Sequence, residues 1–253
     1  MTDDEAAVAV RGALRMGYRL VDTASRYGNE TGVGRGIRDS GVPREEIVVT
    51  TKLRGADHGH DTVRTALHAS LDRLGLEYVD LYLIHWPLPR QGKYVESYRA
   101  MLELRGSGLV RSVGVANFTK AHIEQLDAET GVLPAVNQIQ LSPATPRPAL
   151  RSYLEKYGIV PQSWSPLGRT EGLHKASLVR ELAQRHGKTP EQIILGWHVQ
   201  QDLVAIPKSV DPARQKANLE VFDFELKAED LTRMRALDRG RAGVLDPDEY
   251  EEF

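Results

Sequence analysis

The sequence predicts a single α/β domain, a parallel (β/α)8 barrel from which the first strand is missing. Three observations lead there. Seven short apolar runs rich in Val, Ile and Tyr alternate with amphipathic stretches, and apolar strands separated by helices imply a parallel sheet covered by helices. The 253 residues match the size of one such barrel, about 250 residues. Polar residues interrupt the apolar runs near their C-terminal ends, the face on which parallel barrels build active sites.

The chain opens on a helix. Thr2 and Glu5 form a capping box and Gly17 suits the stop. The predicted strands are YRLVDTA (18–24), IVVTTKL (47–53), VDLYLIHWP (79–87), VRSVGVANF (110–118), AVNQIQL (135–141), IVPQSWSP (159–166) and VAIPKS (204–209). Helical stretches such as DTVRTALHASLDRLG (61–75) and YVESYRAMLELRGSG (94–108) lie between them. No composition shift marks a linker, so residues 1–253 read as one domain. An open doubly wound sheet is the alternative. It normally carries GxGxxG after its first strand, and the nearest segment, GVGRG (32–36), has Ile37 where the third glycine belongs. That segment reads instead as a glycine-rich helix start after Thr31.

Bulk properties exclude other classes. A net charge of −2 does not suit a nucleic-acid footprint. With no cysteine there are no disulfides, thiol nucleophiles or cysteine zinc sites. The opening MTDDE is polar and acidic, unlike a secretory signal, and no apolar run approaches the roughly 20 residues of a membrane span. The expectation is a cytoplasmic protein, most simply a monomer, without nucleic-acid or membrane partners.

Four ionisable groups converge on the predicted rim. Asp22 ends the first visible strand, Tyr27 follows on its loop, Lys52 ends the second strand and His85 the third. A tyrosine ordinarily titrates near 10. A lysine cation beside it stabilises the phenolate and is expected to pull that value down, Asp22 would hold the lysine, and Tyr27 would then protonate an oxygen as general acid. His85 would orient the same oxygen. No side chain supplies hydride, so a nicotinamide cofactor completes the chemistry. At the far end, Lys208 and Ser209 end a strand, and a helix starting near Asp211 or Pro212 carries Arg214 in its first turn; cations at a helix N-terminus favour phosphate. Trp164 at the end of the sixth run could stack on a flat ring. The cluster DHGHD (57–61) has metal-ligating residue types, but its histidines are two apart with no third ligand in step, and it reads as a solvated loop.

These motifs resemble those of the aldo-keto reductases. The likeness runs from GYRLVDTASRYGNE (17–30) through TTKL, LYLIHWP, GVANF, VNQIQLSP, WSPLG and HGKTPEQ to IPKSV and NLEVFDFEL, nearly the whole chain, with HWP and SWSPLG pointing to the diketogluconate-reductase-like prokaryotic branch. The resemblance implies a (β/α)8 barrel of the TIM type and NADPH-dependent reduction of aldehydes, ketones or keto sugars. It matches Asp22, Tyr27, Lys52 and His85 to a catalytic tetrad. It matches Asn117 and Gln138 to the nicotinamide carboxamide, Trp164 to the ring that stacks on nicotinamide, and Ser165, Leu167 and Gly168 to the pyrophosphate loop. Lys208, Ser209 and Arg214 match contacts to the 2′-phosphate, Val210 a further cofactor contact, Asn218 an adenine contact, and Trp86 the substrate pocket.

Three departures follow from the same comparison. The usual first hairpin and LGFGT-like strand are absent, which leaves sheet edges to pair weakly with a partner. Ala116 replaces a serine beside Asn117, removing a hydrogen bond worth about 1 kcal/mol. Ala217 replaces an acidic adenine contact. The missing strand motivates one alternative, a catalytically impaired cofactor-binding or interaction protein. An aldolase or isomerase with Lys52 as nucleophile is a further alternative, disfavoured because Asp22 would keep that lysine protonated. The loops PLPRQGKY (87–94) and GRTEGLHK (168–175) are expected to set specificity, with the acidic tail GRAGVLDPDEYEEF (240–253) near the pocket mouth.

Overall fold

The computed structural model describes residues 1–168, 172–240, 242 and 244–252. Among them are seven strands, β1 (Leu20–Asp22), β2 (Val48–Leu53), β3 (Val79–Ile84), β4 (Val110–Ala116), β5 (Val136–Gln140), β6 (Val160–Trp164) and β7 (Val204–Ile206). Each lies inside a run expected from sequence. The α-helices are α1 (Asp3–Met16), α2 (Glu30–Ser40), α3 (His60–Leu74), α4 (Tyr94–Gly106), α5 (Lys120–Thr130), α6 (Pro148–Lys156), α7 (Ser177–His186), α8 (Pro190–Val199), α9 (Pro212–Leu219) and α10 (Ala228–Met234). The sheet order is β1-β2-β3-β4-β5-β6-β7, the order in which the strands occur in the chain, which is that of a singly wound barrel and not of a doubly wound sheet with its switch point. The chain forms two compact units, Met1–Asn137 with Leu245–Phe253, and Gln138–Val244.

In the first unit β1, β2, β3 and β4 pair in parallel. They carry fully buried Val49, Leu53, Leu83, Ile84 and Val115, and β3 is buried along its whole length on both faces. α1 starts with the expected capping box of Thr2 and Glu5 and ends on Gly17 at φ 114. α2 begins at Glu30 behind Asn29, two residues earlier than the expected start after Thr31. The glycines of GVGRG sit inside that helix, where α2 crosses its neighbours at backbone distance. A Cβ on Gly32 or Gly36 would strike the backbone of α1 at Asp3 or Ala7, and one on Gly34 would strike Leu74 at the end of α3. Helix packing, not phosphate binding, accounts for these glycines.

The second unit pairs β6 with β7 in parallel and packs Val179 and Leu182 of α7 with Ile193, Ile194 and Trp197 of α8, Leu226, and Met234 of α10. His198 is buried in this unit at 0% exposure. Its Nδ1 lies 2.9 Å from the Ile194 carbonyl and its Nε2 3.3 Å from the Leu141 carbonyl. A neutral imidazole can donate to only one of them, and the shorter contact selects Ile194. Burial pushes the His198 pKa down to about 4 against the ordinary 6.5. No described helix is long and apolar enough to cross a membrane.

Acid should therefore weaken the fold. The unfolded chain takes up a proton at His198 below about pH 6.5 and the folded chain does not until about pH 4. The stability that depends on this histidine is complete above pH 6.5 and is lost as the pH falls toward 4. Urea unfolding at pH 7 and pH 4.5 should show the loss, and His198→Asn should lose less than wild type between those two pH values, by on the order of 2 kcal/mol.

Candidate active site

Parallel pairing staggers the strands so that each contributes its polar residue slightly further along than the last. Asp22 is level with Thr50, and Lys52 comes two residues later. Lys52 is level with Leu83, and His85 comes two residues later. Ile84 is level with Val115, and Asn117 follows two residues later. In a pleated strand residues two apart share a face, so Thr50 and Lys52 point the same way. Lys52 is 1% exposed. Its Nζ lies 2.5 Å from Asp22 Oδ1, donates to the Thr23 carbonyl at 3.0 Å, and reaches the Tyr27 hydroxyl at 3.5 Å. The Tyr27 and His85 rings meet edge to face, 5.8 Å between centroids. Asp22, Tyr27, Lys52 and His85 are thus brought together as the sequence predicted.

The electrostatics differ from the sequence expectation in one respect. Burial disfavours the Tyr27 phenolate more than the Lys52 cation favours it, so the tyrosine pKa lies above 10, not below. The ring is 48% exposed, but its hydroxyl is the end turned toward Lys52. Burial alone would discharge Lys52. The Asp22 carboxylate and Tyr27 outweigh it and hold the lysine pKa above its ordinary value. At neutral pH the site holds a protonated tyrosine over a charged lysine.

The loop that presents Tyr27 is tied at both sides. Thr23 Oγ1 donates to Asn29 Oδ1 at 3.2 Å. Glu30, 1% exposed, accepts from Thr51 Oγ1 at 2.6 Å and from Arg73 Nε at 2.8 Å. Asn117 stands in the left-handed region at φ 63, which asparagine tolerates better than most residues. From there its Nδ2 donates to the His85 carbonyl at 3.0 Å. The carboxamide expected to face a nicotinamide thus also fixes the backbone of the site histidine.

The described residues of the acidic tail from Leu245 onward lie over this rim, where the tail was expected. Asp248 Oδ1 lies 2.9 Å from His122 Nε2 and Glu249 Oε2 lies 2.5 Å from Arg90. Tyr250 packs on the buried Trp86, 4.1 Å between centroids. Glu252, 3% exposed, accepts the Gly55 N–H at 2.8 Å and brings its other oxygen 2.5 Å from His85 Nδ1. That second approach lacks hydrogen-bond geometry, which leaves both atoms buried without a hydrogen bond, a state that ordinarily costs about 1–3 kcal/mol per group. Sequence reasoning missed Glu252, Arg26 and Glu30; the YGNE segment placed Glu30 beside Tyr27, but no local signal marks Glu252.

In the second unit Gln138 is 2% exposed and donates to Gln162 Oε1 at 3.1 Å. Trp164 and Leu167 are half-buried and Gly168 is buried. Ser165 has φ 50, a left-handed turn at a strand end of the kind that clusters at functional sites. Lys208 and Val210 are exposed and Ser209 partly so, while Asn218 is half-buried. The Arg214 side chain is 80% exposed. The start of α9 is not open to an anion in the way the sequence implied. Asp211 Oδ1 accepts the Ala213 N–H at 2.8 Å and the Arg214 N–H at 3.4 Å, so any phosphate here would rest on side chains. Arg169, Thr170 and Glu171 of the expected specificity loop, with Arg241, Gly243 and Phe253 of the tail, lie outside the described residues.

The DHGHD cluster is not uniformly solvated. His60 is exposed between Asp61 and Glu103, but His58 is 3% exposed and burial pushes its pKa down to about 4. No group of three metal-ligating side chains occurs among the described residues.

A proton donor held over a fixed cation, on the strand-end rim of a parallel sheet, is equipment for acid–base catalysis and places this chain among parallel-barrel enzymes. The profile of the Aldo/keto reductase family matches residues 1–239. A Corynebacterium 2,5-diketo-D-gluconic acid reductase B is 47% identical over 250 residues, 99% of this chain and 90% of that protein. The methylglyoxal reductase DkgA of Escherichia coli is 43% identical over 250 residues, 98% and 90% of the two chains. Among solved structures, a Gox0644 mutant in complex with NADPH is similar at a TM-score of 0.94 and 42% identity, covering 99% of this chain and 91% of the other. A Bombyx mori aldo-keto reductase in complex with NADP is similar at 0.88 and 35%, covering 94% and 84%. The chain belongs to the aldo/keto reductase family and has its parallel barrel fold, with seven strands among the described residues.

Removing Lys52 alone should destabilise the fold by about 3–5 kcal/mol, because Lys52→Met leaves the Asp22 carboxylate buried without its partner. Adding Asp22→Asn should restore a substantial part of that loss. Urea unfolding of wild type, Lys52→Met and the double variant measures both.

Proposed function

We propose that this protein reduces the carbonyl group of small aldehydes and ketones to the alcohol, with NADPH as reductant. The Tyr27 hydroxyl 3.5 Å from a lysine that is itself held by Asp22 carries this reading. The cofactor, when bound, supplies hydride to the carbonyl carbon. The remaining chemistry belongs to the chain. Tyr27, protonated at neutral pH, gives its proton to the carbonyl oxygen. Lys52 stabilises the phenolate left behind, so the proton is retained until charge develops on the oxygen and is then released readily. His85 hydrogen-bonds and orients that oxygen.

The residues present fit a dinucleotide phosphate. Lys208 and Arg214 offer two cations to solvent, on either side of Ser209, whose hydroxyl bonds the Asp211 backbone, and two cations suit the dianionic 2′-phosphate that distinguishes NADPH from NADH. We assign Val210 and Asn218 to the adenosine end, Ser165, Leu167 and Gly168 to the pyrophosphate, and Asn117, Gln138 and the half-buried Trp164 to the nicotinamide. The tail-covered rim with Trp86 supports small polar substrates. Relatives whose names specify 2,5-diketo-D-gluconic acid and methylglyoxal favour dicarbonyl compounds, keto sugars included. The same reading has residues 1–253 act as one catalytic domain, as a cytoplasmic monomer without nucleic-acid or membrane partners.

Tyr27→Phe should lose at least a hundredfold in kcat for a reducible aldehyde while binding NADPH as wild type does in a fluorescence titration. Undiminished turnover by the variant refutes the acid assignment. Arg214→Ala should weaken NADPH by about tenfold and NADH by far less. An equal loss for the two nucleotides, read in parallel titrations, removes the 2′-phosphate from this site.

A further inference from the structure

Among the described residues three carboxylates are buried at the catalytic rim. Asp22 holds Lys52 and Glu30 braces the Tyr27 loop, but Glu252 does neither. Its side chain is 1% exposed, yet its partners are those of a bound anion. One oxygen accepts the Gly55 N–H at 2.8 Å. The other lies 3.7 Å from Arg26 Nε and 2.5 Å from the His85 edge, without a hydrogen bond to either. A backbone N–H facing one oxygen of a carboxylate, with a guanidinium and an imidazole facing the other, makes a carboxylate receptor. Glu252 satisfies it through a single oxygen. The Arg26 side chain, 43% exposed, keeps one side of the receptor open to solvent.

The receptor also shares a residue with the chemistry. His85 touches both Glu252 and the Tyr27 ring. An anion held where Glu252 sits is therefore a few bonds from a carbonyl placed under the Tyr27 hydroxyl. Resting on the reductase reading, we infer that the Gly55 N–H, Arg26 and His85 form a carboxylate subsite, filled by Glu252 when no substrate is present. The subsite takes oxo acids, small aldehydes or ketones that bear a carboxylate near the reacting carbonyl. Such a substrate replaces one carboxylate by another and leaves the charge around Arg26 and Lys52 unchanged. A neutral carbonyl compound makes no such exchange.

The test uses the full chain with NADPH and two four-carbon aldehydes, succinic semialdehyde and butyraldehyde, which differ in the terminal carboxylate. The readout is the ratio of their kcat/KM values. Arg26→Gln should lower the ratio by tenfold or more, through KM for the semialdehyde. Glu252→Gln, which keeps the shape and removes the competing charge, should raise it at least threefold. A ratio within twofold of wild type in both variants overturns the subsite. So does a ratio that rises in Glu252→Gln but is untouched in Arg26→Gln, because Glu252 would then only repel anions. Wild type that reduces neither aldehyde, nor other neutral carbonyl compounds, counts against the reductase reading. The subsite is then decided without turnover by saturation-transfer NMR with butyrate. A butyrate signal that strengthens in Glu252→Gln and disappears in Arg26→Gln supports it, and no signal in either wild type or Glu252→Gln overturns it.

Discussion

Lys52 cannot occupy its place without Asp22. An ammonium group at 1% exposure loses its hydration, and a lysine so placed ordinarily discharges or unfolds the protein around it. Here a carboxylate 2.5 Å away and a backbone carbonyl at 3.0 Å replace the lost water. Replacing such a pair by apolar residues is often neutral or stabilising in a folded protein, so packing alone gives no reason to bury it. What the pair provides is a fixed positive charge under the Tyr27 hydroxyl.

The rest of the rim follows from holding that charge and that hydroxyl together. The stagger between β1, β2 and β3 brings Asp22, Lys52 and His85 from three strands to one locality, although 63 positions separate the first from the last (85 − 22). Tyr27 comes from a loop, which by itself would place it loosely. Its loop is bounded by Thr23, bonded to Asn29, and by Glu30, locked to Thr51 and Arg73. Asn117 adopts a left-handed backbone and holds the His85 carbonyl. A shift of about 1 Å in a reacting group can cost a hundredfold in rate, which gives each of these ties a chemical consequence.

The strands and the meeting of Asp22, Lys52 and His85 at their ends were legible because both follow from local patterns of the chain. A strand buried on both faces reads as an apolar run, and a charged residue at the end of such a run is conspicuous. Asp22, Lys52 and His85 needed only that rule. Features that depend on distant partners were not legible. Glu252 sits in an acidic tail whose charges resemble ordinary solvated ones until the Gly55 N–H, 197 residues away, is found against it. The direction of the Tyr27 pKa depends on how deeply its hydroxyl is buried, and no motif encodes depth. The glycines of GVGRG carried too little information for the same reason, since what they touch is the backbone of α1 and α3. At α9 the sequence showed a helix N-terminus beside cations, but Asp211, part of the same motif, takes the N–H groups for itself.

Charge balance links the tail to the chemistry more closely than proximity alone. Around Tyr27 the Lys52 cation is matched by Asp22 and the Arg26 cation by Glu252. Both carboxylates act on Tyr27 in the same direction, against the phenolate, while Lys52 acts for it. Any molecule that displaces Glu252 from Arg26 therefore also sets how readily Tyr27 gives up its proton. An incoming carboxylate restores the displaced charge and leaves the acid as it was. A neutral molecule that pushed Glu252 aside would remove an anion from beside the tyrosine, and with it one of the influences that oppose its phenolate. On the reductase reading a residue from the far end of the chain thus adds to the influences that keep the Tyr27 proton in place, beside the larger ones of burial and Asp22.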